Sequence, residues 1–323
     1  MKLLIKFFIV AMLTLLLSGC ENVVLQARLP ASQLNYVSNQ NSGGQIQYDE
    51  KYIYIVDNEN LYKIDDNDCK LIIQGARRCF LVEQAYLYYM NLENQTMKLN
   101  LETYENSLVT EAYVFEMIVH HERLVYVASL QDSEKKVYVT SNDNTSPVEI
   151  ACDIQVDFIS GDGNNLYLVD TLGVIYIFVD DETLQTLGQC YGIRELYPIN
   201  DGFLLVPSNT EIWYMDSEFF DYVVVEEHTE VLQNSITYIS SGYIVYSHLG
   251  SGRLSVAAGS SPASVLYCVT EKRIEKMFTL LEPLYFSGNA IIGYSRKNNQ
   301  WEAIMLAEEG AEQIKNVILL LNK

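Results

Sequence analysis

A short apolar strand pattern recurs along this chain at intervals near forty residues, and nothing else in the sequence narrows the fold so far. Its copies are Tyr52-Ile53-Tyr54-Ile55, Tyr86-Leu87-Tyr88-Tyr89, Leu124-Val125-Tyr126-Val127 and Asn165-Leu166-Tyr167-Leu168. Three looser copies follow: Phe203-Leu204-Leu205-Val206, Tyr243-Ile244-Val245-Tyr246 and Ala290-Ile291-Ile292-Gly293. The third residue of each marks the register: Tyr54, Tyr88, Tyr126, Tyr167, Leu205, Val245 and Ile292, spaced by 34, 38, 41, 38, 40 and 47 residues. A superperiod of about 40–50 residues belongs to blade-type repeats. The composition agrees, with 24 Tyr, 11 Phe and only 6 Pro, because aromatic-rich, Pro-poor chains favour strands.

Most copies are followed, after a polar turn, by a second alternating strand: Asn60-Leu61-Tyr62-Lys63-Ile64, Lys136-Val137-Tyr138-Val139, Val174-Ile175-Tyr176-Ile177 and Glu211-Ile212-Trp213-Tyr214. The turns carry Asp57-Asn58-Glu59, Asn91 to Gln95, Asp132-Ser133-Glu134 and Ser208-Asn209, which are hairpin residues. A further strand follows in places (Lys70 to Ile73, Val148 to Ile150), and another precedes several markers (Cys79 to Val82, Ile236 to Ile239). Four strands per repeat is the make-up of a propeller blade. The expected fold is therefore all-β, a single β-propeller of seven four-stranded blades. A β-sandwich also has regularly spaced strands, but at about 8–12 residues and without the longer period. Either Gln45 to Tyr48 or the tail Val317 to Leu321 is available to complete a blade and close the ring, which removes the exposed sheet edge. The Gly/Ser-rich stretch from Gly250 to Pro262 falls inside the sixth repeat as a long loop.

Tyr54-Ile55-Val56-Asp57 and Tyr167-Leu168-Val169-Asp170 resemble the Tyr-Trp-Thr-Asp repeat of low-density-lipoprotein-receptor-type propellers. The stretch from Asn41-Ser42-Gly43-Gly44 through Tyr52-Ile53-Tyr54 to Leu61-Tyr62-Lys63-Ile64-Asp65 resembles bacterial exported propellers of that type. Elsewhere the fourth motif position stays mostly polar, as Asn91, Ser129, Ser208, His248 and Ser295. Apolar residues replace the Trp and Thr of the motif in both of the nearest copies. The resemblance spans residues 41–306 and implies architecture; it transfers no catalytic residue.

The first twenty residues read as an address. Lys2 and Lys6 precede an apolar run from Phe7 to Leu17. As a helix that run spans roughly 16 Å, short of a bilayer core of about 30 Å, so it reads as a secretory signal and not as a membrane span. Leu17-Ser18-Gly19-Cys20 then resembles the lipobox of bacterial lipoproteins. That resemblance implies cleavage between Gly19 and Cys20, a thioether-linked diacylglycerol on Cys20 and often acylation, such as palmitate, on the new amino terminus. Two or three acyl chains hold a protein firmly where one does not. The expected organisation is residues 1–19 as a cleaved signal peptide, 20–40 as a lipidated tether and 41–323 as the propeller domain. The localisation expected is the outer face of the bacterial cytoplasmic membrane, or an outer membrane where one exists.

Charge narrows the partners. The full chain carries 42 acidic and 21 basic residues, a net −21. Loss of Lys2 and Lys6 makes the mature part more negative still. Phosphate backbones need a basic face, so nucleic acid is not an expected partner. An anionic bilayer repels such a body, which leaves the lipid on Cys20 as the anchor.

Catalytic signatures are sparse. Of four histidines, His120 and His121 are adjacent and expected on opposite faces of a strand, while His228 and His248 stand alone. No H-E-x-x-H, G-x-S-x-G or Walker-type loop is present. Asp65-Asp66-Asn67-Asp68 lacks the Gly and Glu of an EF-type loop and reads, like Asp162-Gly163-Asn164, as a hairpin tip. Glu226-Glu227 and Asp180-Asp181-Glu182 read as solvated faces. Beyond Cys20, the five cysteines Cys69, Cys79, Cys152, Cys190 and Cys268 cannot all pair within one molecule. Buried thiols are the simpler expectation, with a Cys69–Cys79 bridge as the alternative. Tyr52 with Tyr54, and Tyr86 with Tyr88, are expected to pack between blades; Trp213 and Trp301 are expected in the core, with a ligand-binding face as the alternative. No catalytic residue, metal or cofactor is expected. The function expected is a monomeric lipoprotein propeller that binds or scaffolds envelope proteins or polysaccharides. Alternatives are an exported hydrolase or lyase on sugars or lactones, with calcium as its candidate cofactor, and a scaffold for envelope-protein assembly.

Overall fold

The structure is a computed structural model. It describes residues 44–48, 52–64, 68–83, 85–121, 123–130, 134–141, 147–150, 153–161, 165–179, 183–199, 202–208, 211–216, 222–227, 237–238, 243–248, 263–268, 273–279, 284–287, 290–295, 297–305 and 315–318.

Among these residues the strands form seven four-stranded antiparallel sheets, each built from four consecutive strands paired in chain order. The first sheet is Ile46–Tyr48, Ile53–Asp57, Asn60–Ile64 and Cys69–Gln74; the second is Ala76–Glu83, Tyr86–Asn91, Thr96–Asn100 and Asn106–Thr110. The third is Tyr113–His120, Arg123–Ser129, Lys136–Ser141 and Val148–Glu149; the fourth is Val156–Gly161, Leu166–Asp170, Val174–Phe178 and Leu184–Gln189. The fifth comprises Glu195–Ile199, Gly202–Ser208, Glu211–Asp216 and Tyr222–Glu227. The sixth comprises Thr237–Tyr238, Tyr243–His248, Ala263–Cys268 and Arg273–Thr279, and the seventh Leu284–Ser287, Ala290–Ser295, Gln300–Met305 and Lys315–Ile318. Each marker residue of the sequence repeat lies on the second strand of its sheet.

The second strands are buried on both faces, which is why they read as continuous apolar runs. Tyr54 and Val56 pack with Leu87 and Tyr89 between the first and second sheets. Tyr88 and Met90 pack with Leu124, Tyr126 and Ala128 between the second and third. Val125 and Val127 meet Leu166 and Leu168, and Tyr167 and Val169 meet Phe203 and Leu205, at the next two junctions. Tyr52 joins Tyr54, and Tyr86 joins Tyr88, in these cores, as their spacing predicts. A buried tyrosine removes about 150–250 Å² from water, so each of these anchors contributes a few kcal/mol.

The marker residues do not all point the same way. Tyr54, Tyr88 and Tyr167 face the following sheet, whereas Tyr126 and Leu205 face the preceding one. The repeat read from sequence is offset by one residue in the third and fifth copies, and one residue reverses a strand's side chain.

The first and seventh sheets share a core of their own: Ile46, Ile55 and Ile64 pack with Ile292 and Trp301. Across it Trp301 Nε1 donates to Asp57 Oδ1 at 3.2 Å, 244 residues away in sequence. Ile46–Tyr48 and Lys315–Ile318 each complete the sheet formed by their own neighbours in sequence. In five sheets a bulge breaks the pairing of the third and fourth strands at matching positions, Leu61/Tyr62, Thr96/Met97, Ile175/Tyr176, Ile212/Trp213 and Leu266/Tyr267. Such bulges increase the local twist and turn the outer strand away from its neighbour.

Candidate functional site

Three places in this scaffold carry chemistry. The first is the line of contacts between first strands. Gln47 Nε2 donates to the Phe80 carbonyl, and Arg78 Nη1 donates to the Phe115 carbonyl at 3.4 Å. The Ile159 N–H donates to Glu116 Oε2 at 2.7 Å, and Ser160 Oγ donates to the Leu196 carbonyl at 2.8 Å. Four successive junctions are thus bridged by a polar side chain of one first strand and the main chain of the next.

Glu116 is the most perturbed carboxyl of this line. Burial raises its pKa to about 7, with Asp157 adding in the same direction; the Ile159 N–H, Lys135 and Arg78 oppose the rise. Lys135 Nζ reaches the Asp157 carbonyl at 2.7 Å and Oδ1 at 3.3 Å, and lies 4.9 Å from the Phe115 ring centroid. Glu116 is therefore close to half-protonated at neutral pH, a state in which a carboxyl can give or take a proton.

The second place is a cavity of about 320 Å³ between the third and fourth sheets, with His120, His121 and Arg123 at one end. His120 ends a strand and His121 stands in the turn after it with φ 47°. The left-handed turn abolishes the strand alternation that separates neighbouring side chains. The two rings therefore stack, with centroids 4.1 Å apart and planes 22° from parallel, and do not take the opposite faces predicted from their adjacency.

The third place is one rim of the sheets. In each sheet the turn after the second strand lies at the same edge as the connection leading into the next sheet. On that rim Leu92, Leu130 and Leu172 stand on equivalent turns of the second, third and fourth sheets, 40%, 53% and 65% exposed. Tyr191, in the connection from the fourth to the fifth sheet, is 76% exposed. The chain preceding Ile46 reaches the first sheet at this same edge.

The polar fourth position of the motif turns out to build these turns. Asp170 Oδ1 accepts from the N–H groups of Leu172 and Val174 at 2.9 and 2.8 Å, and Asn91 Oδ1 accepts from Glu93 and Gln95 at 3.0 and 2.9 Å. Asp57 accepts from Trp301 across the junction of the seventh and first sheets.

Other residues singled out in the sequence fall as follows. Gly19 and Cys20 lie outside the described residues, as do His228, Cys152, Asp65 to Asn67, Asp162 to Asn164, Asp180 to Glu182 and Gly250 to Pro262. His248 ends the second strand of the sixth sheet, and Glu226 and Glu227 end the fourth strand of the fifth. Trp301 is buried against Tyr294, and Trp213 packs on the core between the fourth and fifth sheets with Nε1 2.6 Å from Glu211 Oε2. Trp301 thus lies in the core, as expected, and Trp213 is half-buried against it. Cys69, Cys79 and Cys190 are reduced thiols, so no Cys69–Cys79 bridge forms. Burial pushes the Cys190 thiol up to about 11 and Cys79 higher still. Among the described residues no group of three or more His, Cys, Asp and Glu is placed to hold a metal ion, and no helix is long and apolar enough to cross a membrane. Sequence reasoning passed over Glu116, whose neighbours in the chain, Phe115 and Met117, gave no sign of a carboxyl held between two sheets.

No family model matches the chain, and no curated protein matches it by sequence. Solved structures do. The WD40 β-propeller domain of Doa1 superposes with a TM-score of 0.58 at 15% identity, over 82% of this chain and 93% of that one. A puromycin-hydrolyzing peptidase of Mycobacterium tuberculosis gives 0.62 at 9% identity, over 92% of this chain and 57% of that one. Apo AztD from Citrobacter koseri gives 0.54 at 10% identity, over 86% of each chain. Similarity at this level of identity speaks to architecture alone: the chain is all-β, made of repeated four-stranded antiparallel sheets, and similar in structure to β-propellers.

Proposed function

We propose that this chain is a bacterial lipoprotein, anchored through an acylated Cys20 on the outer side of a membrane, whose seven sheets are the blades of a single propeller of the low-density-lipoprotein-receptor type. Its role is to bind or scaffold a protein or polysaccharide of the cell envelope, without chemistry of its own. The observation that carries the binding reading is the apolar rim of Leu92, Leu130, Leu172 and Tyr191, because exposed apolar side chains gathered on one face mark interaction sites. That rim is also where the tether joins the propeller, so its partner sits between the blades and the membrane.

The test is made in cells. Radiolabelled palmitate is expected to enter the wild-type protein and not Cys20→Ala, which leaves the membrane fraction. A photo-cross-linker at position 172 is expected to give a discrete adduct that Leu92→Ser/Leu130→Ser abolishes, while a cross-linker at position 179, on the opposite edge, gives none. An unlipidated wild-type protein, or adducts from position 179 alone, overturns the reading.

A second reading, an exported hydrolase or lyase, draws on Glu116, a carboxyl near neutrality beside Lys135 and Asp157. It requires that Glu116→Gln abolish turnover of a sugar or lactone substrate while the anchored protein stays folded.

A further inference from the structure

The apolar rim also carries charge, and its sign bears on what the rim accepts. We propose that it takes a basic amphipathic segment of a protein, one that alternates Lys or Arg with apolar side chains. This rests on the rim reading above and names the chemistry of its partner. Around the described arc, acids and apolar residues alternate. Glu59 stands on the turn of the first sheet, Leu92 and Glu93 on that of the second, and Glu111 in the connection to the third. Leu130 and Glu134 follow on the turn of the third sheet, then Asp153 in the next connection, Leu172 on the turn of the fourth sheet and Tyr191 beyond it. All of these are exposed. Against the acids the arc sets Arg77 and Arg194, and Arg77 donates to Asn94 Oδ1 at 2.6 Å. Its other bases are matched: Lys135 by Asp157 at 3.3 Å, Lys136 by Glu149 at 2.7 Å, and the half-buried Arg78 by Glu116. The adjoining residues 131–133 and 151–152 lie outside the described ones and add one acid, Asp132, and no base.

The apolar anchors are held in place before any partner arrives. The Leu172 N–H donates to Asp170 Oδ1 at 2.9 Å, and the Cys190 N–H donates to the Gly173 carbonyl at 2.8 Å. A Cβ on Gly173 would lie 3.3 Å from the Tyr191 Cα, so the turn of Leu172 rests directly on the segment that carries Tyr191. The turn of Leu92 is fixed in the same way, by Asn91 Oδ1. A surface ordered in advance loses little freedom on binding. Complementary charge around such anchors speeds encounter and rejects partners of like sign. A second copy of this chain, net −21, and an anionic bilayer are both of like sign. Leucine side chains, for their part, offer the hydroxyls of a polysaccharide nothing to bond. A segment that pairs apolar residues with Lys or Arg meets both halves of the pattern.

The experiment titrates the full-length protein in phosphatidylcholine nanodiscs with three synthetic peptides, by calorimetry, against empty nanodiscs. One repeats Lys-Leu-Ala-Lys-Leu-Ala-Lys twice, the second has Ser for each Leu, and the third has Glu for each Lys. The first is expected to bind roughly tenfold more tightly than either of the others, and more weakly as salt rises. Leu130→Ser/Leu172→Ser is expected to weaken it roughly tenfold. Glu93→Gln/Glu111→Gln/Glu134→Gln is expected to weaken it roughly threefold and to flatten the salt dependence. Glu102→Gln/Val179→Ser, on the opposite edge, is expected to bind as the wild type does. In cells, mass spectrometry of the adduct at position 172 is expected to return a peptide with more Lys and Arg than Asp and Glu. A lipid, a glycan, an acidic peptide or a second copy of this chain in that adduct overturns the proposal. So does failure of the first peptide to bind, or binding that ignores its charge or the rim variants. Those results leave the rim standing as a binding face, whereas absence of any adduct at position 172 overturns the rim reading itself.

Discussion

Glu116 binds its proton more tightly in the fold than in the unfolded chain, because burial lifts it from its ordinary 4.5 to about 7. Between those values the folded state holds more protons than the unfolded one. The stability contributed by this group is therefore full below about 4.5, falls as pH rises through the window and is lost above about 7. A shift of that size corresponds to at most about 3 kcal/mol. Glu116→Gln keeps an oxygen to accept from Ile159 and removes the charge. It is expected to melt roughly 4 °C above the wild type at pH 8 and together with it at pH 4.5, measured by circular dichroism; equal melting at both pH values refutes the burial argument. None of this was legible in the sequence, where Glu116 is one acid among many. The stacking of His120 on His121 was equally hidden: adjacency predicts opposite faces, and only the left-handed φ of His121 reverses it.

In the second and fourth sheets the polar residue that ends the second strand and the turn it caps act as a unit. The sequence shows a polar fourth position in every copy, and the structure shows what that position does. Asp170 holds two N–H groups of its turn and accepts from the Tyr176 hydroxyl at 3.2 Å. Gly173 completes this turn with φ 76°, and a Cβ there would sit 2.1 Å from the Cys190 carbonyl oxygen, which is main chain and cannot swing aside. Cys190 N–H in turn donates to the Gly173 carbonyl at 2.8 Å. Gly173→Ala is thus expected to cost about 2 kcal/mol or more, from backbone strain and steric displacement together, while Asp170→Asn, which keeps an acceptor, costs less than half as much; urea denaturation checks the order. The strands themselves were legible because their apolar runs and turn residues are strong. Their parity was not. A strand buried on both faces, as Arg123–Ser129 is, carries no alternation to fix which residue faces which neighbour. The repeat therefore aligns Tyr126 with Tyr88, although the two point at each other across one junction. The recurrent bulge between third and fourth strands left no trace in composition either.

A stack of sheets can end in two ways: as an open array, whose terminal members contact one neighbour each, or as a ring, in which the last protects the first. Periodicity alone does not distinguish them, since both repeat. The deciding contacts join residues that are far apart in sequence, Ile46, Ile55 and Ile64 against Ile292 and Trp301, with the indole of Trp301 bonded to Asp57. The two outcomes respond differently to damage at that seam. In an open array stability is a sum of local terms, so a defect at the ends frays the ends. In a ring every sheet has two neighbours, and opening any junction frees all the others to move. Removing a buried indole costs about 3–5 kcal/mol, and Trp301→Ala is expected to lower the melting temperature by roughly 6–10 °C in one transition. Amide exchange should then accelerate in the fourth sheet, at Leu168 and Val169, by about the same factor as in the first, at Tyr54 and Ile55. Trp301→Phe, which retains most of the apolar contact and loses only the bond to Asp57, should cost about a third as much. Acceleration confined to the first and seventh sheets, with the fourth as protected as before, would mean that the seam joins two ends without closing a ring, and the blade count proposed above would lose its main support.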